Sequence, residues 1–236
     1  NPLIDDAYIL LGKSRYFDRR FFQALESFNY IIENYSNPKT YLQARIWREK
    51  TNIRLNNNEL AINNLKGISE KLINKSNFSG ILNASLAQAF LNDKKLDSAK
   101  FFIKKAAINE KNYNYKARYF YLTGQLYEKI NKKDSAIWAY NNIRLMKRKI
   151  SRKYYINSII KLYILTENED LESKLSKLEK ELKNFQNQNL KHYLYSGIAK
   201  ILYKNGKDSL ANTYFILSQN SSKLDIYTKI NNYNSI

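Results

Sequence analysis

The chain has 236 residues, 44% of them apolar and rich in Tyr (20) and Phe (11), so it can bury a core and is not a disordered polar chain. Cys is absent and His occurs once, which excludes a disulfide framework, a thiolate nucleophile and a Cys- or His-based metal cluster. The formal net charge is +19, from 40 Lys and Arg against 21 Asp and Glu, and no run of about 18 apolar residues is present to span a membrane.

Gly and Pro number only 6 and 2, so long helices joined by short polar loops are predicted. The opening segment, NPLIDDAYILLG, has two acids ahead of its apolar stretch and no basic region, and does not read as a signal peptide. Asn1-Pro2 immediately before a helical pattern suits the end of a preceding repeat. The chain is therefore expected to start at a repeat boundary, and a longer parent is compatible with both ends.

Five alanines set the organisation. Ala24, Ala61, Ala99, Ala136 and Ala211 recur at spacings of 37, 38, 37 and 75 residues, the last being two periods. Each opens a second helix one turn before a large apolar residue, and each second helix follows a first helix and an Asn/Lys/Asp loop. This rhythm predicts an all-α fold, a right-handed superhelix of about six tetratricopeptide-like helical hairpins in one repeat domain, 1–236.

The first hairpin, 5–35, pairs Tyr8, Leu11 and Gly12 with Ala24, Phe28 and Ile31, with Asp18 as a cap. In the second, 41–74, Trp47 and Ile53 precede Asn56, Asn57 and Asn58, then Ala61, Leu65 and Ile68. The third, 79–109, sets Ala87 and Phe90 against Ala99, Ile103 and Ala106. The fourth, 114–148, is the clearest copy. Phe120, Gly124 and Tyr127 lie at i, i+4 and i+7 on one face, and Ala136, Tyr140 and Ile143 repeat the pattern. Gly124 is expected where the two helices cross, and Asp134 at the N-cap of the second. The fifth, 150–185, is degenerate. Ile159, Tyr163, Leu171, Leu175 and Leu178 keep the period, but Ser173 falls near the alanine position in a charged helix. The sixth, 188–220, recovers with Tyr195, Ala199 and Leu202, then Asp208, Ala211 and Phe215. Leu224, Tyr227 and Ile230 keep helical spacing over 221–236, as a capping helix or the first helix of a further repeat would.

One hairpin cannot bury its own apolar face, so neighbours complete the core, and the first helices are left to line a concave surface. Polar or aromatic positions that the packing pattern does not use are candidate partner contacts. They are Lys13, Arg15, Arg45, Arg48, Asn83, Gln88, Arg118, Tyr121 and Gln125. Lys147, Arg148, Lys149, Arg152 and Lys153 form the densest basic run and a candidate basic patch. Lys, Asn, Ile and Tyr all use A/T-rich codons, however, and basic residues are scattered over every hairpin. No zinc finger, RNP-like motif or Gly-rich loop accompanies the charge, so nucleic-acid binding is not expected.

Catalytic signatures are missing: there is no P-loop, no G-x-G-x-x-G, no H-E-x-x-H and no G-x-S-x-G. Adjacent acids such as Asp5 and Asp6, or Glu179 and Glu181, suit helix starts and solvated faces before acid–base chemistry. His192 has no second His or Cys to help it. No enzyme activity, cofactor or metal is expected.

One segment is more specific than a generic repeat. Asp5-Asp6-Ala7, Leu11-Gly12-Lys13, Tyr16-Phe17 and Ala24 to Tyr30 make Asp5–Tyr35 resemble the first repeats of tetratricopeptide lipoproteins associated with gliding motility and type IX secretion in Bacteroidota. Members of that family are longer and carry a lipidated Cys behind a signal sequence, features not seen in this sequence. The resemblance implies a periplasmic or outer-membrane-associated scaffold that binds other proteins or extended peptide segments of the secretion machinery. A cytoplasmic peptide-binding adaptor or co-chaperone, and an RNA-binding helical repeat, are the alternatives.

Overall fold

A computed structural model describes residues 3–71, 77–167 and 169–221. The capping or further-repeat helix expected over 221–236 lies, apart from Ser221, outside them. Twelve α-helices are described, in chain order: α1 (Ile4–Phe17), α2 (Phe21–Asn34), α3 (Pro38–Arg54), α4 (Asn58–Lys71), α5 (Ser79–Asn92), α6 (Leu96–Asn109), α7 (Tyr113–Lys129), α8 (Lys133–Met146), α9 (Arg152–Leu165), α10 (Leu171–Lys183), α11 (Lys191–Lys204) and α12 (Asp208–Asn220). Short 3-10 turns occupy Lys147–Lys149 and Phe185–Leu190. Odd-numbered helices are the first of each hairpin and even-numbered helices the second, which gives an all-α, tetratricopeptide-like fold of stacked hairpins.

The chain divides into two compact units, Asn1–Tyr119 and Phe120–Ile236, with the division inside α7. In the first unit α1 packs on α2 and α3, α3 on α4 and α5, and α5 on α6. Its core gathers Ile9, Ala24, Phe28, Ile31, Ala44 and Trp47 at one end and Ile46, Ile53, Ala61, Leu65, Leu86 and Ala99 further on. In the second unit α8 packs on α9, α9 and α10 on α11, and α11 on α12, around Ile156, Ile160, Leu178, Leu194, Ile198 and Phe215.

All five period-setting alanines are buried to within 1% of completely. Each is the fourth residue of its helix. One turn on stand Phe28, Leu65, Ile103, Tyr140 and Phe215, also buried. The reason for small residues on the first helices is direct. A Cβ at Gly12 would lie 2.5 Å from the Phe28 ring, and one at Gly124 would lie 2.5 Å from the Tyr140 ring. The helices approach until the aromatic ring sits on bare backbone, so Gly124 occupies the crossing its spacing predicts.

The turn between paired helices also repeats. Arg19, Asn56, Lys94, Asn131 and Gly206 all have positive φ, between 55° and 69°. Each lies five residues before its alanine. One left-handed residue reverses the chain in a very short connection. The predicted caps are corrected by this geometry. Asp18 closes α1 and pairs with Arg20 at 2.7 Å, while Arg20 itself is the N-cap of α2. Asp134 lies inside the first turn of α8, after the N-cap Lys132. Its charge still meets the positive end of the helix.

The fifth hairpin departs in a way the spacing alone does not reveal. The fourth residue of α10 is Lys174, not Ser173. Ser173 belongs to the cap, donating its N–H to Asp170 Oδ1 at 2.8 Å. Leu178, one turn after Lys174, is fully buried like its counterparts. The register is therefore kept while a lysine replaces the alanine. Its ammonium donates to the carbonyl of Thr166 just past the end of α9, where helix carbonyls lack partners. One turn beyond Leu178, Glu181 stands where other copies have Ile31, Ile68 or Ile143. It accepts from Arg152 Nη2 at 2.7 Å and from Asn187 Nδ2 at 2.7 Å.

Candidate protein-binding surface

First helices lie side by side in the first unit, where α1 packs on α3 and α3 on α5. The centre of this layer is Trp47 on α3, a core residue only 7% exposed. Its ring is boxed by Tyr16 and Phe17 of α1 at 5.4 and 5.9 Å, both edge-on, and by Phe28 of α2 at 6.3 Å. Lys50 follows Trp47 by three residues and so lies on the same helix face. Its ammonium sits 3.8 Å from the centre of the Trp47 ring and 5.6 Å from that of Tyr16. Lys13 reaches the same indole from α1 at 5.3 Å, and Arg54 covers Phe21 at 5.4 Å.

Ring faces stabilise these cations through their quadrupoles, but among the described residues no carboxylate is bonded to Lys50. Burial, reinforced by the positive charges of Arg118 on α7 and Lys13 on α1, pushes its ammonium down to about 8. Burial also lowers Lys13, with Asp6 pulling the other way. The Tyr16 hydroxyl is raised by burial and partly offset by Arg54 and Arg118. Lys13 and Arg118, both expected to face a partner, are thus brought together around Lys50. Lys50 was not among the candidates. The signal that finds it is its spacing from Trp47, which puts it over the indole.

Other candidates have internal partners. Arg15 donates to Ser27 Oγ at 2.8 Å and to the Gln23 carbonyl at 3.0 Å, tying α1 to α2. Arg48 pairs at 2.8 Å with Glu49, which is fully buried and also accepts from Asn52. Glu49 occupies the position where the first and fourth hairpins have Gly12 and Gly124. Asn83 is 3% exposed and donates to the Ser79 carbonyl, so it does not line a surface. Gln88 bonds Asn92, which in turn bonds Asn58. Arg45 lies over Tyr41 at 5.8 Å.

In the second unit, Tyr121 is half-buried between Tyr140 and Tyr154, with ring centres 5.5 and 6.4 Å away, and Gln125 is exposed. Burial, then the Glu128 carboxylate, pushes the Tyr121 hydroxyl up to about 12. Glu128 accepts from the Tyr140 hydroxyl and pairs with Lys161 at 2.9 Å. Tyr140 is raised further by burial and by that hydrogen bond. The residues of the basic run differ in their contacts. Lys147, Arg148 and Lys149 lie on an exposed 3-10 turn, with Lys147 at φ 48°. Arg152 is bound to Glu181 and to Asn187 Oδ1 at 3.0 Å, and Lys153 lies 5.1 Å from the Tyr193 ring.

Among the described residues, no three His, Cys, Asp or Glu side chains gather where they could hold a metal ion. His192 is buried at the start of α11, and its carbonyl accepts from Ser218 Oγ at 2.8 Å. No described helix is long and apolar enough to cross a membrane.

No family model matches the chain, and no curated protein matches it. Among solved structures, a crystal structure of MamA is 15% identical over 89% of this chain and 93% of that one, with a TM-score of 0.47. A crystal structure of MamA protein is also 15% identical, over 96% of this chain and 99% of that one, at 0.46. The helical-repeat fold is established by the hairpins themselves: their buried alanines, their ring-on-glycine crossings and their shared turn.

Proposed function

We propose that this chain is a protein-interaction scaffold that works by binding and not by chemistry. The observation that carries the reading is the first-helix layer of the first unit, which presents Lys13, Lys50 and Arg54 on an aromatic base set in the core, with the charge of Arg118 acting on Lys50. A rigid base lowers the ordering cost of binding. The resemblance of Asp5–Tyr35 to the tetratricopeptide lipoproteins of gliding motility and type IX secretion supports a setting in the bacterial envelope, with secretion components as partners.

The test is affinity capture from envelope and cytosolic extracts of the source bacterium at about 0.15 M salt and again at higher salt, where exposed charge contacts are screened. A small set of envelope proteins retained at both salts is the expected result. Capture confined to cytosolic proteins would overturn the envelope setting. Capture of nucleic acid alone, lost at high salt, would overturn the scaffold itself.

A further inference from the structure

We propose that the first-helix face of the first unit takes an extended protein segment bearing carboxylate side chains, with Lys50 at the centre of the contact and Lys13, Arg54 and Arg118 around it. This rests on the scaffold reading and names the partner chemistry.

Charge complementarity is the first argument. Three helices, α1, α3 and α7, bring these cations into mutual electrostatic reach, and like charges do not gather on a partly buried face without cost. Several such groups elsewhere are neutralised, Arg48 by Glu49, Arg152 by Glu181 and Lys161 by Glu128, although Lys200 is lowered by burial and by Lys161 with no acid acting on it. Among the described residues, the one acid that acts on Lys13 or Lys50 is Asp6, on Lys13. The missing counter-charge is what a ligand supplies.

The shape of the site favours carboxylates over a nucleic-acid strand. Single-stranded nucleic acid is held by bases stacking on open aromatic faces. Here the Trp47 face is covered by Lys50 at 3.8 Å, its edge is closed by Tyr16 and Phe17, and Phe21 is covered by Arg54. At the centre neither Trp47 nor Phe21 leaves a free face for a base, the one exposed ring being Phe17 at the rim, whereas the ammonium and guanidinium heads remain to receive carboxylate oxygens. The second unit does not offer the same chemistry, because Glu128 already sits among its tyrosines and lysine.

The experiment is fluorescence anisotropy with the full chain and a short labelled peptide that alternates Glu with small residues, its C-terminus amidated. The comparison probes are the same peptide with Gln for Glu and an oligouridylate of equal length. Saturable binding of the Glu peptide, weakened about tenfold by Lys50→Met and by Arg118→Gln but unchanged by Arg148→Gln, is the expected result. Arg118 is exposed, so its variant keeps the test valid if Lys50→Met alters the fold. Equal weakening by Arg148→Gln would mean attraction to bulk charge and would overturn the site. Tighter, Lys50-dependent binding of the oligouridylate would overturn the choice of partner. If the Glu peptide fails to bind while Lys50→Met still abolishes protein capture from extracts, the acidic specificity is wrong and the scaffold reading stands. If capture is also indifferent to Lys50 and Arg118, this face is not the scaffold's binding surface.

Discussion

The two units carry nearly the same charge and organise it in opposite ways. Residues 1–119 hold 20 Lys and Arg against 11 Asp and Glu, and residues 120–236 hold 20 against 10. Net charge therefore does not distinguish them. In the second unit, three cations near the packed interior have partners, Lys161 with Glu128, Arg152 with Glu181 and Asn187, and Lys174 with the Thr166 carbonyl, while Lys200, lowered by burial and by Lys161, is the exception. In the first, Arg48 has Glu49, but Lys50 rests on the Tyr16 and Trp47 rings with no carboxylate bonded to it among the described residues. Partnered charge holds a hairpin together, and unpartnered charge on a rigid face is free to hold something else.

What both units share sets the baseline. Gly12 under Phe28 and Gly124 under Tyr140 are the same crossing, one in each unit, with the same 2.5 Å approach. Replacing either Gly with Val should cost about 3 kcal/mol, because the facing ring is fully buried and has nowhere to move. Urea unfolding reads the cost, and amide hydrogen exchange should place the loss in α1–α2 for one variant and in α7–α8 for the other. Costs that differ by more than about 1 kcal/mol would break the equivalence of the two crossings.

Against that baseline, removing one charge while keeping an apolar stem should have opposite signs in the two units. Arg152→Met takes away two charge-assisted hydrogen bonds and leaves Glu181 and fully buried Asn187 short of a partner. A loss of about 2 kcal/mol is expected from chemical denaturation. Loss of less than about 0.5 kcal/mol would mean that the network is decorative.

Lys50→Met should instead stabilise the protein at pH 7 by about 1–2 kcal/mol, since it removes a partly buried cation whose only compensation is a cation–π contact. The pH dependence identifies the cause. The folded Lys50 ammonium is depressed from 10.5 to about 8. Below pH 8 it is protonated in both states and its full cost is present. Between pH 8 and 10.5 the unfolded chain binds the proton more readily, so wild-type stability rises with pH and the cost fades. The advantage of Lys50→Met should shrink over that window, measured as the difference in Tm between variant and wild type. An advantage that is constant with pH would assign the effect to packing. A stabilising variant that also loses acidic-peptide binding would show that the face is kept at the expense of stability.

The contrast between the units was only partly legible in the sequence, for a definite reason. The hairpins are legible because a ring seated on a glycine or alanine dictates residue type at both positions, as at Gly124 and Tyr140. That signal is local and repeats. The fifth hairpin is harder to read because its leucine pattern survives intact while Lys174 and Glu181 occupy apolar positions. Their partners, Thr166 and Arg152, are 8 and 29 residues away. Asp18 and Asp134 are not N-caps because the turn is built on a left-handed residue, and side-chain capping is not what closes it. Of the surface, Lys13 and Arg118 stand out as polar positions on first helices. The spacing of Lys50 from Trp47 is legible, but the convergence of α1, α3 and α7 around it is not, and neither are the burial of Asn83 and the ion pair of Arg48 with Glu49. Pairing across hairpins leaves no periodic trace.

The smallest expected effect concerns the turns, where the units again differ in how well the residue suits its task. In the first unit the left-handed position is filled by Arg19, Asn56 and Lys94, and in the second by Asn131 and Gly206. Asn and Gly tolerate positive φ, whereas Arg and Lys bring a Cβ into the following carbonyl at a cost of about 1 kcal/mol each. Lys94→Gly and Arg19→Gly should therefore stabilise by about 0.5 kcal/mol apiece, the gain being reduced by the extra freedom glycine gives the unfolded chain. Asn131→Gly, already relieved by its side chain, should change stability by less than about 0.3 kcal/mol. Urea midpoints on all three would decide it. If Lys94→Gly and Asn131→Gly are indistinguishable, the turns are equivalent in energy as well as in shape, and the difference between the units is confined to how each partners its charges.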